Sequence, residues 1–432
     1  MMIELLTAMP KYDAYKDSGE EWLGEVPEHW EIAPLKHSVL LVSEKISSRE
    51  STLKYYGMEN VESWSGRFIE TETEVEGLAS KFNERDILFG KLRPYLAKVT
   101  LTQNEGICST EFLVYRVTKH SPDFFRYLLV STTFINLIDA STYGSKMPRA
   151  SADFIGIQRT LIPTLPEQVS IAEFLDRKTA QIDQAVSIKE KQIALLKERK
   201  QILIQNAVTR GLNPDAPMRD SGVEWIGEIP AHWKTLFNRR LFREKSRAIT
   251  DKAELPLSLS QVDGVIPSMD MKERSLSPAH RNNFKLCYPG DLIVNRFKGH
   301  LGVLFESKYR GIVTFHYGVF EPCLPMNTKY FEHLYHTDIY RTVYAGASNG
   351  MTLGLQNLSN QNFYMVKTIY PPLEEQKEII LYIETESAKI DQAISIQQQQ
   401  IDKLKEYKAT LINSAVTGKI KVPELSGEKD AA

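Results

Sequence analysis

What this chain lacks narrows its function early. It holds 3 cysteines, Cys108, Cys287 and Cys323, widely separated, so neither a disulfide framework nor a zinc-binding spacing is available. No stretch reaches the roughly eighteen uninterrupted apolar residues of a membrane span. The opening MMIELLTAMPKYDAYKD has no basic leader followed by an apolar run, so export is not expected and a cytoplasmic location is. There is no G-x-x-x-x-G-K-(S/T) phosphate loop and no (D/N)-P-P-(Y/F) string, YPPL at Tyr370 being a helix lead-in. The Pro-Asp pairs at Asp123 and Asp215 lack the downstream acid-x-Lys of a nuclease centre. His333 and His336 stand three apart on an expected helix, yet no Cys or third ligand is near them, so no metal site is expected. Catalysis is therefore not expected of this chain. Charge of one sign is also missing: 53 basic against 55 acidic residues give a net charge of -2. A basic stretch does run from Lys272 to Arg310, where Lys272, Arg274, Arg281, Lys285, Arg296, Lys298, Lys308 and Arg310 outnumber Glu273, Asp291 and Glu306. Such a stretch is either a nucleic-acid-binding face or a solvated surface.

What is present is repetition. A chain of 432 residues with 42% apolar and 10% aromatic content can bury two or three cores. The string DSGEEWLGEVPEHW, Asp17 to Trp30, returns as DSGVEWIGEIPAHW, Asp220 to Trp233, which marks an internal duplication. Gly19 and Gly24 supply turns and Trp22 and Trp30 supply large apolar bodies. Structural anchoring is favoured over contact of Trp22 or Trp225 with a base.

The second repeated feature is a long helix-forming run, Glu167 to Arg210 and again Glu375 to Gly418, each behind a Pro-rich lead-in and a Glu-Gln pair. Steps of three and four pick out Leu175, Ile182, Val186, Ile193, Leu196 and Leu203 in the first copy, and Ile383, Ile390, Ile394, Ile401, Leu404 and Leu411 in the second. Lys189, Lys200, Gln397 and Lys408 interrupt these strips. This is a coiled-coil seam. A parallel pair would bury Lys200 against Lys408. An antiparallel pair sets Lys200 opposite Ser387, Lys408 opposite Thr179 and Lys189 beside Gln397, which costs less. Antiparallel pairing is therefore expected, within one chain or between two copies.

Between these features lie two globular bodies. In the first, strand-like runs near Leu53–Tyr56, Asp86–Phe89, Leu96–Leu101 and Phe112–Val117 precede one helix over SPDFFRYLLVSTTFINLIDAST, starting at Ser121. The second repeats this plan with much divergence. The expected class is α+β: two tandem α/β domains separated by an antiparallel coiled coil in a pseudo-two-fold repeat. RDILFGKLRPYLAKV from Arg85 aligns with GDLIVNRFKGHLGVL from Gly290, placing Lys91 and Arg93 on one turn and Arg296, Lys298 and His300 on the other. Loops carrying Lys146 and Arg149, and Asn349, Gln356 and Asn357, come second. These ten are the candidate DNA contacts, since Lys and Arg grip phosphate or guanine and Asn and Gln pair with adenine.

The paired DSG-x-EW-(L/I)-GE-(V/I)-P-x-HW strings, the Glu-Gln lead-ins, and IDQA at Ile182–Ala185 and Ile390–Ala393 resemble the specificity subunits of Type I restriction-modification systems over essentially the whole chain. The resemblance implies target-recognition domains at 1–165 and 212–370, spacer helices at 166–211 and 371–420, and a flexible tail at 421–432. It implies a bipartite double-stranded DNA site, two methyltransferase subunits and restriction-translocase subunits as partners. S-adenosylmethionine, ATP and magnesium would sit on those partners, with no cofactor on this chain. The competing reading is a coiled-coil assembly protein with DNA-binding heads outside restriction-modification.

Overall fold

The computed structural model describes residues 9–71, 77–144, 146–247, 254–271, 284–348 and 357–423. The chain divides into two compact units, Met1–Glu190 with Gln398–Ala432, and Lys191–Gln397. Two helices dominate, Leu165–Arg210 of 46 residues and Leu373–Val416 of 44. Neither contains glycine, and proline occurs only in the first turn of the first helix (Pro166), where its missing N–H is not needed. Gly211 and Gly418, just past the two helices, take left-handed φ of 76° and 71°, a conformation suited to a helix end and inexpensive for glycine.

Within each unit the long helices run antiparallel. In the first, Lys408 Nζ donates to both Asp183 carboxylate oxygens at 2.7 Å, and Lys189 donates to Gln400 at 2.5 Å. In the second, Lys200 Nζ meets Asp391 at 2.8 and 2.7 Å. The seam buries Leu175, Ile182, Val186, Ile193, Ile383, Ile390, Ile401 and Leu411, with Leu196, Leu203, Ile394 and Leu404 half-buried. The partners of Lys200 and Lys408 differ from the expected ones. Lys200 and Lys408 pass the hydroxyls of Ser387 and Thr179 and reach the aspartates one turn further along, those of the two IDQA strings. A long flexible side chain can carry its ammonium to the wet edge of a seam while its stem stays in it. Thr179 instead bonds Tyr127 at 3.2 Å, and the Ser387 hydroxyl is buried without a partner. Exposed ion pairs of this kind contribute about 0–1 kcal/mol each, so they specify direction more than stability.

Each unit is α+β. In the first, an antiparallel sheet has the order Leu40–Val42, Phe112–Arg116, Ile87–Gly90, Val99–Leu101; in the second the order is Phe242–Glu244, Tyr317–Pro322, Leu292–Asn295, Leu304–Glu306. The central strands ILFG and LIVN are buried at every position, as unbroken apolar runs require. An outer pair, Glu31–Pro34 with Arg159–Ile162 and its counterpart Lys234–Phe237 with Lys367–Tyr370, joins the anchor string to the segment entering a long helix. The helix expected after Ser121 is two, Pro122–Val130 and Thr132–Ala140, broken at Ser131 with ψ 146°. The Ser131 hydroxyl donates to the Leu128 carbonyl at 2.7 Å; this local side-chain bond ends the first helix. Its counterpart likewise splits into Thr328–Tyr335 and Asp338–Ala347. At the chain's other end, Ile420 and Val422 are buried and Lys421 N donates to Pro10 O. The packed chain thus runs past residue 421, where the tail was expected to begin; 424–432 lie outside the described residues.

The anchor string and the Glu-Gln pair form one clasp in each unit. Asp17 and Asp220 accept from the amides two residues on, of Gly19 and Gly222, folding each string into a short hairpin. Trp30 and Trp233, 0% and 1% exposed, donate their indole N–H to Glu167 at 3.2 Å and Glu375 at 2.9 Å. His29 and His232 reach the same carboxylates at 2.9 and 2.7 Å. The glutamines are wholly buried. Gln168 accepts from Ser121 N at 2.9 Å and donates to Pro163 O at 2.8 Å; Gln376 accepts from Asn327 N and donates to Pro371 O, both at 2.8 Å. Each glutamine thus satisfies two backbone groups that burial would otherwise leave costly, tying the start of a long helix to the N-terminus of a helix in the globular body. Trp22 and Trp225 pack edge-on against Phe134 and Tyr340.

His333 and His336 have a structural part here. Burial, then the nearby Lys329, pushes His333 down to about 3; burial, then Arg341, pushes His336 to about 4. Both are neutral in the fold, whereas in an unfolded chain they take up protons near pH 6.5. The unfolded state therefore binds more protons as pH falls, and the second unit loses stability from about pH 6.5 down toward 4. The slope is roughly 1.4 kcal/mol per pH unit per histidine. Urea unfolding at pH 7.5 and 5.5 checks this: a His333→Gln variant is expected to lose less on acidification than the parent chain.

Candidate nucleic-acid interface

The candidate contacts divide into those that pair internally and those left to solvent. In the first unit, the turn after Ile87–Gly90 and the loop before helix Ala152–Ile157 come together. Ala150 N donates to Lys91 O at 3.0 Å and Arg93 N to Pro148 O at 2.7 Å, while Leu92 bridges Arg149. Lys91 is half-buried, and Arg93 and Lys146 are exposed; among the described residues none of the three side chains makes an ion pair or hydrogen bond. Arg93 sits at φ 51°, ψ 64°, a left-handed conformation that is costly for a residue with a Cβ. Exposed beside these cations are Tyr95 at 45%, Tyr143 at 64% and Met147 at 48%. Arg149 has a different role. Its guanidinium grips Glu111, with Nε at 3.1 Å and Nη2 at 3.0 Å, and locks the loop to the sheet.

In the second unit, Leu358 N donates to Arg296 O at 2.9 Å, the counterpart of the Ala150 to Lys91 bond. Arg296 begins the short helix Arg296–Leu301, but its guanidinium is half-buried against Glu244, which also takes Lys285 at 3.0 Å. Arg296 is thus internally paired, which places it apart from its exposed neighbour Lys298. Asn357 is exposed. The backbone of His300 lies in the same helix; its side chain, together with Asn349 and Gln356, lies outside the described residues, as do Lys272, Arg274 and Arg281. In the basic stretch, Arg310 pairs with Glu254 at 2.6 Å.

The aromatic side chains beside both turns were not singled out from sequence. Tyr95 and Phe297 lie in the turn strings but carry no spacing signal, and only the fold brings Tyr143 beside the first turn. Among the described residues, no three His, Cys, Asp or Glu side chains are grouped so as to hold a metal ion, and no helix is long and apolar enough to cross a membrane.

No family model matches the chain. Individual proteins do. It is 25% identical over 179 residues to the Type I restriction enzyme EcoDI specificity subunit of Escherichia coli, an alignment covering 40% of this chain and 36% of that one. It is 22% identical over 428 residues to the putative type I restriction enzyme MjaX specificity subunit of Methanocaldococcus jannaschii, covering 93% and 96%. It is also 22% identical over 463 residues to the EcoKI specificity subunit of Escherichia coli K12, covering 95% and 94%. Among solved structures, a chain from a type I restriction-modification system, studied for its assembly and conformational transition, superimposes with a TM-score of 0.68 at 15% identity, covering 90% of this chain and 98% of that one. The HsdS subunit from Thermoanaerobacter tengcongensis superimposes with a TM-score of 0.53 at 16% identity, covering 91% and 98%.

Proposed function

We propose a function from the premise that the chain belongs to the family of Type I restriction-modification specificity subunits: it reads a bipartite DNA site and directs methyltransferase and restriction subunits to it. Residues 1–165 and 212–370 act as target-recognition domains, each reading one half-site, and the long helices at 166–211 and 371–420 act as spacer and docking frame for two methyltransferase subunits. The observation that carries this reading is the duplication itself. Both units close the same His-Trp-to-glutamate clasp on a long helix and join the same turn and loop through the same backbone bond, yet their exposed side chains differ. Two frames of one design with two different surfaces suit a reader of two unlike half-sites. Co-expression with the methyltransferase encoded beside this gene tests the reading directly. A specificity subunit co-purifies with it, and deleting this gene removes one bipartite motif from the genome-wide adenine-methylation pattern. A chain that purifies without the methyltransferase and whose deletion leaves methylation unchanged overturns the reading.

Arg93 and Lys146 are the strongest candidates for DNA contact. An Arg93→Ala/Lys146→Ala pair is expected to weaken DNA binding by roughly tenfold or more, each lost phosphate contact lowering the salt slope by about one. Binding titrations at several salt concentrations distinguish this from base reading, which instead relaxes one half-site. Unchanged affinity and slope remove both residues from the interface.

Each long helix is a single uninterrupted element, and one heptad adds roughly 10 Å, about three base pairs. A heptad inserted in register into both helices is therefore expected to lengthen the unread spacer by about three base pairs while leaving both half-sites intact. Methylation mapping reads the outcome, and an unchanged spacer rejects the spacing role.

A further inference from the structure

In the second unit, strands Leu292–Asn295 and Tyr317–Pro322 pair with Asn295 opposite Tyr317. The turn after Asn295 and the residues before Tyr317 therefore leave the sheet side by side. Three rings meet there. Phe315 and His316 have centroids 3.8 Å apart at 37°, and Phe297 and His316 are 5.3 Å apart at 59°. Phe297 and Phe315 are 48% and 49% exposed, and Lys298 between the turn residues is exposed as well. The matching place in the first unit is built otherwise: Gly90 pairs with Phe112, and Glu111, just before Phe112, holds Arg149. The repeat thus has an ion pair at one copy and an open cluster of tilted rings at the other. Phenyl rings half in water gain free energy when covered.

We propose that Phe297, Phe315 and His316 form a stacking wedge that opens a base step in the half-site read by the second unit. This rests on the DNA-reading function above. Phenyl rings offer no hydrogen bond to a base edge; they contribute by stacking on an exposed base face or by lodging between two bases. The turn that carries Phe297 is the counterpart of the one that carries Lys91 and Arg93, and Lys298 gives it a cation for the adjoining phosphate. These observations favour nucleic acid over a protein partner. Pyrimidine–purine steps unstack most easily, so the opened step is expected to be of that kind.

The test uses the assembled complex of this chain with its methyltransferase and duplexes carrying the mapped site. 2-Aminopurine, which pairs with thymine, replaces in turn each adenine on either strand of both half-sites except the methylated ones. Fluorescence is expected to rise on binding at one step of one half-site. A Phe297→Ala/Phe315→Ala variant, which removes both half-exposed rings, is expected to abolish most of that rise and weaken binding about tenfold. A Phe315→Tyr variant is expected to retain it. No rise at any position, or a rise unchanged in the alanine variant, overturns the wedge while leaving DNA reading intact. Loss of methyltransferase association in the alanine variant, with DNA opening preserved, assigns the rings to a protein interface and also overturns it. A complex that binds no duplex at all overturns the function proposed above and the wedge with it.

Discussion

Replacing Trp233 with alanine is expected to destabilise the second unit by about 3–5 kcal/mol. The indole is 1% exposed and belongs to the unit's main core with Ile229, Val208 and Ile379. Truncation leaves a cavity where Gly211 now approaches the ring, too close to the end of the long helix for the backbone to close in fully. It also takes the indole N–H from Glu375, leaving that carboxylate to His232 alone. Trp233→Phe separates the two effects: it keeps most of the ring and is expected to lose roughly 1–2 kcal/mol, chiefly for the missing hydrogen bond. Trp30→Ala should do the same to the first unit, where the ring is fully buried and donates to Glu167. Denaturant titration of each variant checks the ranking, and a Trp233→Ala loss below about 1 kcal/mol would reject the clasp as a main support.

The second large effect concerns a buried charge. Asp86 is 1% exposed and accepts two bonds from Arg116, at 2.8 and 2.7 Å, and one from Asn83 N at 2.7 Å. Its hydrogen bonds hold the Arg116 guanidinium above its ordinary value. Removing the arginine alone, as Arg116→Met, leaves a carboxylate buried without its counter-charge and is expected to cost about 3–5 kcal/mol. Asp86→Asn in addition removes the stranded charge and should restore part of that loss. Unfolding free energies of the single and double variants form the cycle; a double variant no more stable than Arg116→Met would show that the pairing is not what matters. The second unit keeps the aspartate, as Asp291, but draws its arginine from Arg247, beyond another strand, at 2.5 Å. Burial raises the Asp291 carboxyl there despite that partner.

Much of this molecule could be read from its residues because its signals are periodic or repeated. A seven-residue apolar strip is one-dimensional information, and two copies of a fourteen-residue string expose a duplication without any structure. The antiparallel sense was legible too, since it needed only the rule that like charges do not share a dry seam. The partners of Lys200 and Lys408 were not. Lys200 and Lys408 choose Asp391 and Asp183 because their stems reach one turn along the helix, and a register drawn residue against residue omits that reach. The split at Ser131 was missed because hydroxyl-to-carbonyl bonding competes with a helix only where the neighbouring packing allows it.

The sequence by itself determined the two-fold plan, the α+β class and the long helices, because each rests on a local pattern: a heptad, a repeated string, a buried strand between turns. Only the tertiary structure decided what individual polar residues do. Arg296 looked equal to Arg93 and Lys298 as a cation on a turn, and Arg149 came second on its loop, yet Glu244 and Glu111 pair with these two arginines and leave Arg93 and Lys298 to solvent. The Glu-Gln pairs looked like helix lead-ins and are instead the joints between helix and globular body. A charge's role depends on which opposite charge folds beside it, and that partner lies dozens of residues away in the chain, where no local pattern can specify it.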